Sequence, residues 1–221
     1  MEIPTEKTID DQHLLTSVAE LEAIYGPVAP AALVKELDHI SEHYGQFITR
    51  SPFVIIATSG PEGLDCSPRG DPPGFVRIQD SKTLLIPDRR GNNRIDTLRN
   101  LVTNSAISLL FLIPGIGETM RINGSAKIVT TPELLKSFQM QNKLPLSVIQ
   151  VSVNSIYFQC QKALARSQLW APESQIERNR LPSTGTMIQA MYQDRDQDQQ
   201  GEFDGRAYDE GYAERMKRTI Y

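Results

Sequence analysis

Between Phe53 and Phe158 the sequence is a series of short β-branched runs broken by Gly, Pro or Asn at short intervals. That spacing leaves an antiparallel β-barrel as the architecture most compatible with the chain. The first run, Phe53-Val54-Ile55-Ile56-Ala57-Thr58, is closed by the turn-forming Ser59-Gly60-Pro61-Glu62-Gly63. Further strands are predicted at Thr83 to Pro87, Ala106 to Ile113, Thr119 to Val129 and Leu146 to Phe158. Helices interrupt rarely. The spacing of Ile95, Leu98, Leu101 and Val102 predicts a short one after Arg89-Arg90-Gly91-Asn92-Asn93-Arg94, and Thr131-Pro132 opens another with Thr as N-cap and Pro in the first turn.

The flanks have a different period. His13 to Tyr25 and Pro30 to Tyr44 read as amphipathic helices joined at Gly26-Pro27, the second carrying Leu33, Leu37, Ile40 and Tyr44 on one stripe. Gln193 to Gln200 has no apolar residue and reads as a loose linker, after which Tyr208, Tyr212, Arg215 and Met216 predict a last short helix. At 221 residues the chain suits one core with terminal additions. The expected organisation is mainly β (α+β): a helical extension over 1–45, an antiparallel split barrel over 46–170, and a C-terminal helical arm over 171–221.

Charge and motifs narrow the function. A formal net charge of −4 disfavours counterion-release binding of nucleic acid, yet leaves room for one phosphate held by a few local arginines. Cys66 and Cys160 lie far apart without metal-ligand or redox spacing; we expect both to be buried apolar residues, with no metal site and no disulfide. No apolar run reaches the roughly 20 residues of a membrane helix, and the polar Met1 to Asp11 is unlike a signal peptide, so a soluble, cytoplasmic protein is expected. His13, His39 and His43 have no accompanying third metal ligand. No Gly-x-Gly-x-x-Gly, Walker A or Gly-x-Ser-x-Gly sequence occurs, which removes dinucleotide folds, nucleotide triphosphatases and common serine hydrolases.

Three segments could carry chemistry. Arg89 to Arg94 opens a helix directly after a strand, and free N–H groups, a positive dipole end and Arg and Asn donors there make a phosphate-sized anion site; the same residues also suit a capping turn with solvated arginines. Asp65 to Phe75 is rich in Pro and Gly, so Pro68 belongs at an edge or bulge, either beside a ligand or in a structural hairpin. Lys162, Arg166 and Trp170 are four apart and would share one face of a helix, bordering an anionic aromatic ligand or packing the C-terminal arm.

Taken in order, Cys-Ser-Pro-Arg-Gly-Asp-Pro-Pro-Gly-Phe (66 to 75), Leu-Ile-Pro-Asp-Arg-Arg-Gly-Asn-Asn-Arg (85 to 94), Leu-Leu-Phe-Leu-Ile-Pro-Gly (109 to 115) and Glu-Thr-Met-Arg-Ile-Asn-Gly (118 to 124) resemble the pyridoxamine 5′-phosphate oxidase-like split barrels, closest to a bacterial branch of them. The resemblance implies flavin mononucleotide (FMN) as cofactor. It makes Asn92, Asn93 and Arg94 phosphate ligands and places Ile86, Pro87 and Asp88 beside the flavin. Cys66, Ser67, Pro68 and Arg69 match the strand at the pyrimidine edge of the ring, whose Arg also reaches phosphate. It further implies a homodimer with a flavin at each end of the interface and Thr119 contributed in trans. The substrate-phosphate motif of the true oxidases is absent from Phe138 to Pro145, and their C-terminal Arg-Leu-x-Pro ending is missing. Vitamin B6 oxidation is therefore not expected. The reading is an FMN-dependent oxidoreductase acting on an unknown small molecule, with no catalytic residue assigned because the cofactor supplies the chemistry. The alternatives are a non-catalytic flavin or haem binder and a deazaflavin-dependent reductase.

Overall fold

The computed structural model describes residues 13–194 and 203–221. The chain divides into two compact units, residues 1–36 and 37–221. In the first, α1 (Val18–Tyr25) starts at a capping box, in which Ser17 Oγ accepts from the Glu20 N–H and the Glu20 carboxylate from the Ser17 N–H. It is followed by α2 (Pro30–Val34), and neither helix has a buried residue.

The second unit is a seven-stranded antiparallel sheet, the split barrel of the sequence reading. Its strands are β1 (Phe53–Gly60), β2 (Gly63–Gly70), β3 (Arg77–Asp80), β4 (Thr83–Asp88), β5 (Ala106–Leu112), β6 (Thr119–Val129) and β7 (Ser147–Gln159), in the order β2-β1-β5-β6-β7-β4-β3. Alternation along β1 buries Val54, Ile56 and Thr58, and along β5 Ile107, Leu109 and Phe111. With Met120, Ile122, Ile149, Val151 and Ile156 these side chains fill one continuous core. Each fully buried Leu, Ile or Phe there contributes on the order of 1.5–3 kcal/mol. β4 is buried on both faces, because Leu85 joins a second cluster with Phe138 and Val148 near α5 (Pro132–Ser137). α4 (Asp96–Thr103) is fastened to β1 by the buried Asn100, whose Nδ2 donates to Thr58 Oγ1 at 3.2 Å.

Several expectations are corrected. The stripe from Leu33 to Tyr44 is not one helix. α2 ends at Val34, Leu37 forms an isolated bridge with Ile156, and α3 (Glu42–Arg50) begins where Ser41 Oγ caps the Tyr44 N–H. Residues 65–70 belong to β2, paired to β1 without a bulge from Phe53↔Gly70 to Gly60↔Gly63, so of the two expected places for Pro68, edge or bulge, it takes the edge. An edge strand bonds on one side only, so it tolerates Pro68. Cys66 and Cys160 are exposed rather than buried: Cys66 alternates with the inward Asp65 and Ser67, and Cys160 follows the end of β7. Gln193 and Asp194 close α7 (Thr184–Asp194), while residues 195–200 of the expected linker lie outside the described residues. The last helix is two, α8 (Gly205–Glu210) and α9 (Tyr212–Thr219), meeting at Gly211. Asp209 of α8 reaches back to accept the Gly185 N–H of α7 at 2.8 Å, which ties the arm together. Among the described residues no helix is long and apolar enough to cross a membrane.

Candidate functional site

A cavity of about 720 Å³ opens where β2, the end of β4, the loop 89–95 and the start of α4 meet. Strand alternation turns Asp65, Ser67 and Arg69 of β2 to the same face. Asp65 accepts from Ser67 Oγ at 3.0 Å and from Thr97 Oγ1, in the first turn of α4, at 2.5 Å. Arg69 Nη2 lies 3.4 Å from both Thr97 Oγ1 and Asp88 Oδ1, so one guanidinium links β2, α4 and β4. Burial pushes the Asp88 carboxyl above the usual range, and the neighbouring Arg69 charge opposes that shift.

A second pair lies beside the first. Arg89 Nε donates to Asp71 Oδ2 at 2.8 Å and its Nη1 to the Phe138 carbonyl at 2.8 Å. The Asp71 side chain is 1% exposed. Its other oxygen accepts the Tyr221 hydroxyl at 2.6 Å, and that bond is the main cause that raises the Tyr221 phenol above its ordinary value. At the mouth Arg94 Nε pairs with Asp96 Oδ2 at 2.9 Å. Arg90 is exposed and has no ion pair among the described residues.

The loop is wound tightly. Asn93 (φ 61°) and Ile95 (φ 53°) are left-handed, and the Arg94 N–H donates to Asn92 Oδ1 at 3.0 Å. For a β-branched residue such as Ile95 this backbone costs on the order of 1–3 kcal/mol. What the strain achieves is a helix start without a side-chain cap: the N–H groups of Asp96, Thr97 and Leu98 have no acceptor among the described residues, in a turn that lines the cavity. Three free amides at a positive dipole end are suited to an anion. Four arginines and four aspartates line the cavity, which is therefore formally neutral. Several of its donors are aimed in advance by carboxylate partners, so the cavity offers directed hydrogen bonds rather than excess charge.

Of the residues expected at the site, Ser67, Pro68, Arg69, Pro87, Asp88, Asn92, Asn93 and Arg94 line this cavity. Ile86 is fully buried in the core, and Cys66 is on the opposite side of β2 from Ser67. Thr119 is 5% exposed, with Oγ1 3.4 Å from Gln159 Oε1, and does not line the cavity. Lys162 and Arg166 are exposed on α6 (Lys162–Ser167). That helix stops at Gln168, whose φ of 51° turns the chain, so Trp170 leaves the face they share and donates its Nε1 hydrogen to the Ile116 carbonyl at 2.8 Å. The sequence reading did not single out Asp65, Asp71, Thr97 or Tyr221. The first two stood in the Pro- and Gly-rich segment already noted, whereas nothing local marks Tyr221.

None of the curated proteins compared matches the chain. Solved structures are similar over about half of it. They include HupZ of Group A Streptococcus (21% identity, 54% of this chain and 93% of that one, TM-score 0.45). General stress protein 26 of Bacillus anthracis str. Sterne is another (13% identity, 52% and 88%, TM-score 0.40), as is an FAD binding protein of Mycobacterium smegmatis (14% identity, 56% and 97%, TM-score 0.39). The family model described as pyridoxamine 5′-phosphate oxidase matches residues 40–160, more than half of the sequence. That stretch contains all seven strands together with the β2, β4 and α4 framework of the cavity, and the chain belongs to the pyridoxamine 5′-phosphate oxidase family.

Proposed function

We propose that the protein is an FMN-binding flavoprotein, an FMN-dependent oxidoreductase for a small molecule, and that it works as a homodimer. The observation that carries the reading is the uncapped start of α4 at one side of a 720 Å³ cavity whose other wall is an edge strand. The volume lies within the roughly 300–1,000 Å³ of small-molecule sites. The residues present fit the cofactor. Asn92, Asn93, Arg94 and the first-turn amides would hold the phosphate. In the β1–β2 hairpin, hydrogen-bonded and non-hydrogen-bonded pairs alternate from the closing pair Gly60↔Gly63, so the backbone groups of Cys66 and Gly70 turn away from β1 and are open to a ring edge. When bound, the flavin supplies hydride or electron transfer, so the chain need provide no nucleophile. Asp88 and Thr97 hold Arg69 in place, and Asp71 holds Arg89.

Dimerisation is supported by one sheet face on which Phe53, Ile55, Leu110 and Leu112 are half-buried or exposed within this chain. A partner there would let Thr119, Lys162, Arg166 and Trp170 act on the cavity of the other subunit. The exposed free thiols of Cys66 and Cys160 suit the reducing cytoplasm. The absorption spectrum of the purified protein tests the cofactor: flavin bands are expected, whereas a Soret band, or no flavin bands after incubation with FMN and desalting, overturns the reading. Bleaching of the bound flavin by NADH or NADPH is expected of an oxidoreductase, and a flavin that no reductant reaches marks a storage protein. Sedimentation is expected to give a dimer, and a monomer that holds FMN contradicts the assembly.

A further inference from the structure

We propose that Ile220 and Tyr221, which follow α9, form a lid on this cavity and that the Tyr221 ring covers the aromatic system of the ligand bound there; the inference rests on the flavin reading above. The segment is fastened on two sides. The Tyr221 hydroxyl donates to the buried Asp71 carboxylate at 2.6 Å. Lys143, in the connection between α5 and β7, donates from Nζ to the backbone oxygens of Arg218 at 3.1 Å and Tyr221 at 2.6 Å. Asp71 also holds Arg89, whose guanidinium lies 5.5 Å from the Tyr221 ring centroid, within reach of a cation–π contact. Tyr221 therefore shares the carboxylate that aims one of the cavity arginines.

The segment nevertheless lines the cavity without filling it. Both residues border the 720 Å³ space, Tyr221 is only half-buried and Ile220 is 53% exposed. A chain segment held only by core packing would bury its apolar surface. Here the polar end of Tyr221 is fixed and an apolar residue beside it stays open, the arrangement by which tyrosine offers a ring to a planar ligand. The Lys143 bonds are exposed and the Tyr221 hydroxyl bond is part-buried, and all are hydrogen bonds rather than core packing, so they can release and re-form as ligand enters.

The test compares the wild-type protein with Tyr221→Phe, Tyr221→Ala and Lys143→Met. FMN release is measured by rapid dilution, and trypsin cleavage after Arg218 is measured with and without FMN. Loss of the hydroxyl bond to a charged partner is expected to speed release about tenfold in Tyr221→Phe and further in Tyr221→Ala. Lys143→Met, which removes the other anchor without touching the ring, is expected to speed it as well. In the wild type FMN is expected to slow cleavage after Arg218, and in Tyr221→Ala to lose that effect. Wild-type protein that binds FMN, with release rates within twofold across all variants and no protection of Arg218, overturns the lid and leaves the flavin reading standing. Failure of the flavin reading is distinct: neither the wild type nor any variant binds FMN, and the lid on a flavin falls with it.

Discussion

Replacing Arg94 by Ala isolates the corner of the cavity proposed to hold phosphate. Its Nε–Asp96 pair spans 2.9 Å, but the Arg94 side chain is 78% exposed, and an exposed pair of this kind contributes only about 0–1 kcal/mol to stability. At roughly 2–4 °C per kcal/mol for a chain of this size, the melting temperature should fall by no more than about 4 °C. Binding should suffer more. A charge-assisted hydrogen bond to phosphate is worth about 1.5–3 kcal/mol. The variant also leaves the Asp96 carboxylate uncompensated at the helix start. Two unit charges about 6 Å apart in an effective dielectric of about 40–80 repel by roughly 0.7–1.4 kcal/mol. Together these predict FMN binding weakened by about 2–4 kcal/mol, or some thirty- to a thousandfold. Titrating apoprotein with FMN by flavin fluorescence measures it, and the double variant Arg94→Ala/Asp96→Asn should recover the repulsive share, up to about tenfold. Riboflavin, which lacks the phosphate, should bind wild type and variant alike. Unchanged FMN affinity, or riboflavin weakened by the same factor, refutes the reasoning.

Three further outcomes follow from the geometry. A Cβ on Gly124, at the register shift of β6, would fall 2.1 Å from the Ser152 carbonyl oxygen; because backbone is the obstacle, Gly124→Ala should cost about 1–3 kcal/mol, read as a lower urea midpoint, and an unchanged midpoint contradicts the register. Asp88 is held above its ordinary 3.8 by burial, so its contribution to stability is fully present below that pH and is lost as pH rises through the folded-state value. Asp88→Asn should therefore gain on wild type as pH climbs from 3.8, and a difference that does not vary with pH excludes this. Asp38 is held down to about 2 chiefly by its hydrogen bond to Lys82, so its stabilisation is present above 3.8 and fades as pH falls toward about 2. In Lys82→Met the carboxyl resonance of Asp38 should titrate closer to 3.8, and an unmoved titration removes Lys82 as the cause.

Strands with a full apolar run facing the core were legible, whereas β3, four residues with only Ile78 against the core, was not predicted. β6 runs from Thr119 to Val129 as its β-branched pattern predicts, and β4, β5 and β7 end within one residue of their predicted bounds. β2 was not legible as a strand from its residue pattern, and only the family resemblance marked it as one. Its inward residues Asp65, Ser67 and Arg69 face a polar cavity, so the apolar alternation that marks a strand is missing where function replaces packing. The loop before α4 stood out because arginines and asparagines cluster ahead of a helix, a pattern that suits an anion site and a capping turn alike, and the structure places Asn92, Asn93 and Arg94 at the cavity. The Tyr221–Asp71 bond spans 150 positions, and no local pattern encodes such a contact. The face shared by Lys162, Arg166 and Trp170 failed at Gln168, a residue without the glycine signal that usually announces a left-handed turn.

Pro68 has a consequence beyond the ligand. In the alternating register of the hairpin it forms a non-hydrogen-bonded pair with Ile55, so the donor that proline lacks would have pointed outward, along the free edge of β2. Its outward carbonyl is already taken by Arg69 Nη1 at 3.0 Å. A β-strand from another molecule approaching this edge would find neither donor nor free acceptor at the middle of the row. The edge that borders the cavity is thereby interrupted as a template for strand pairing.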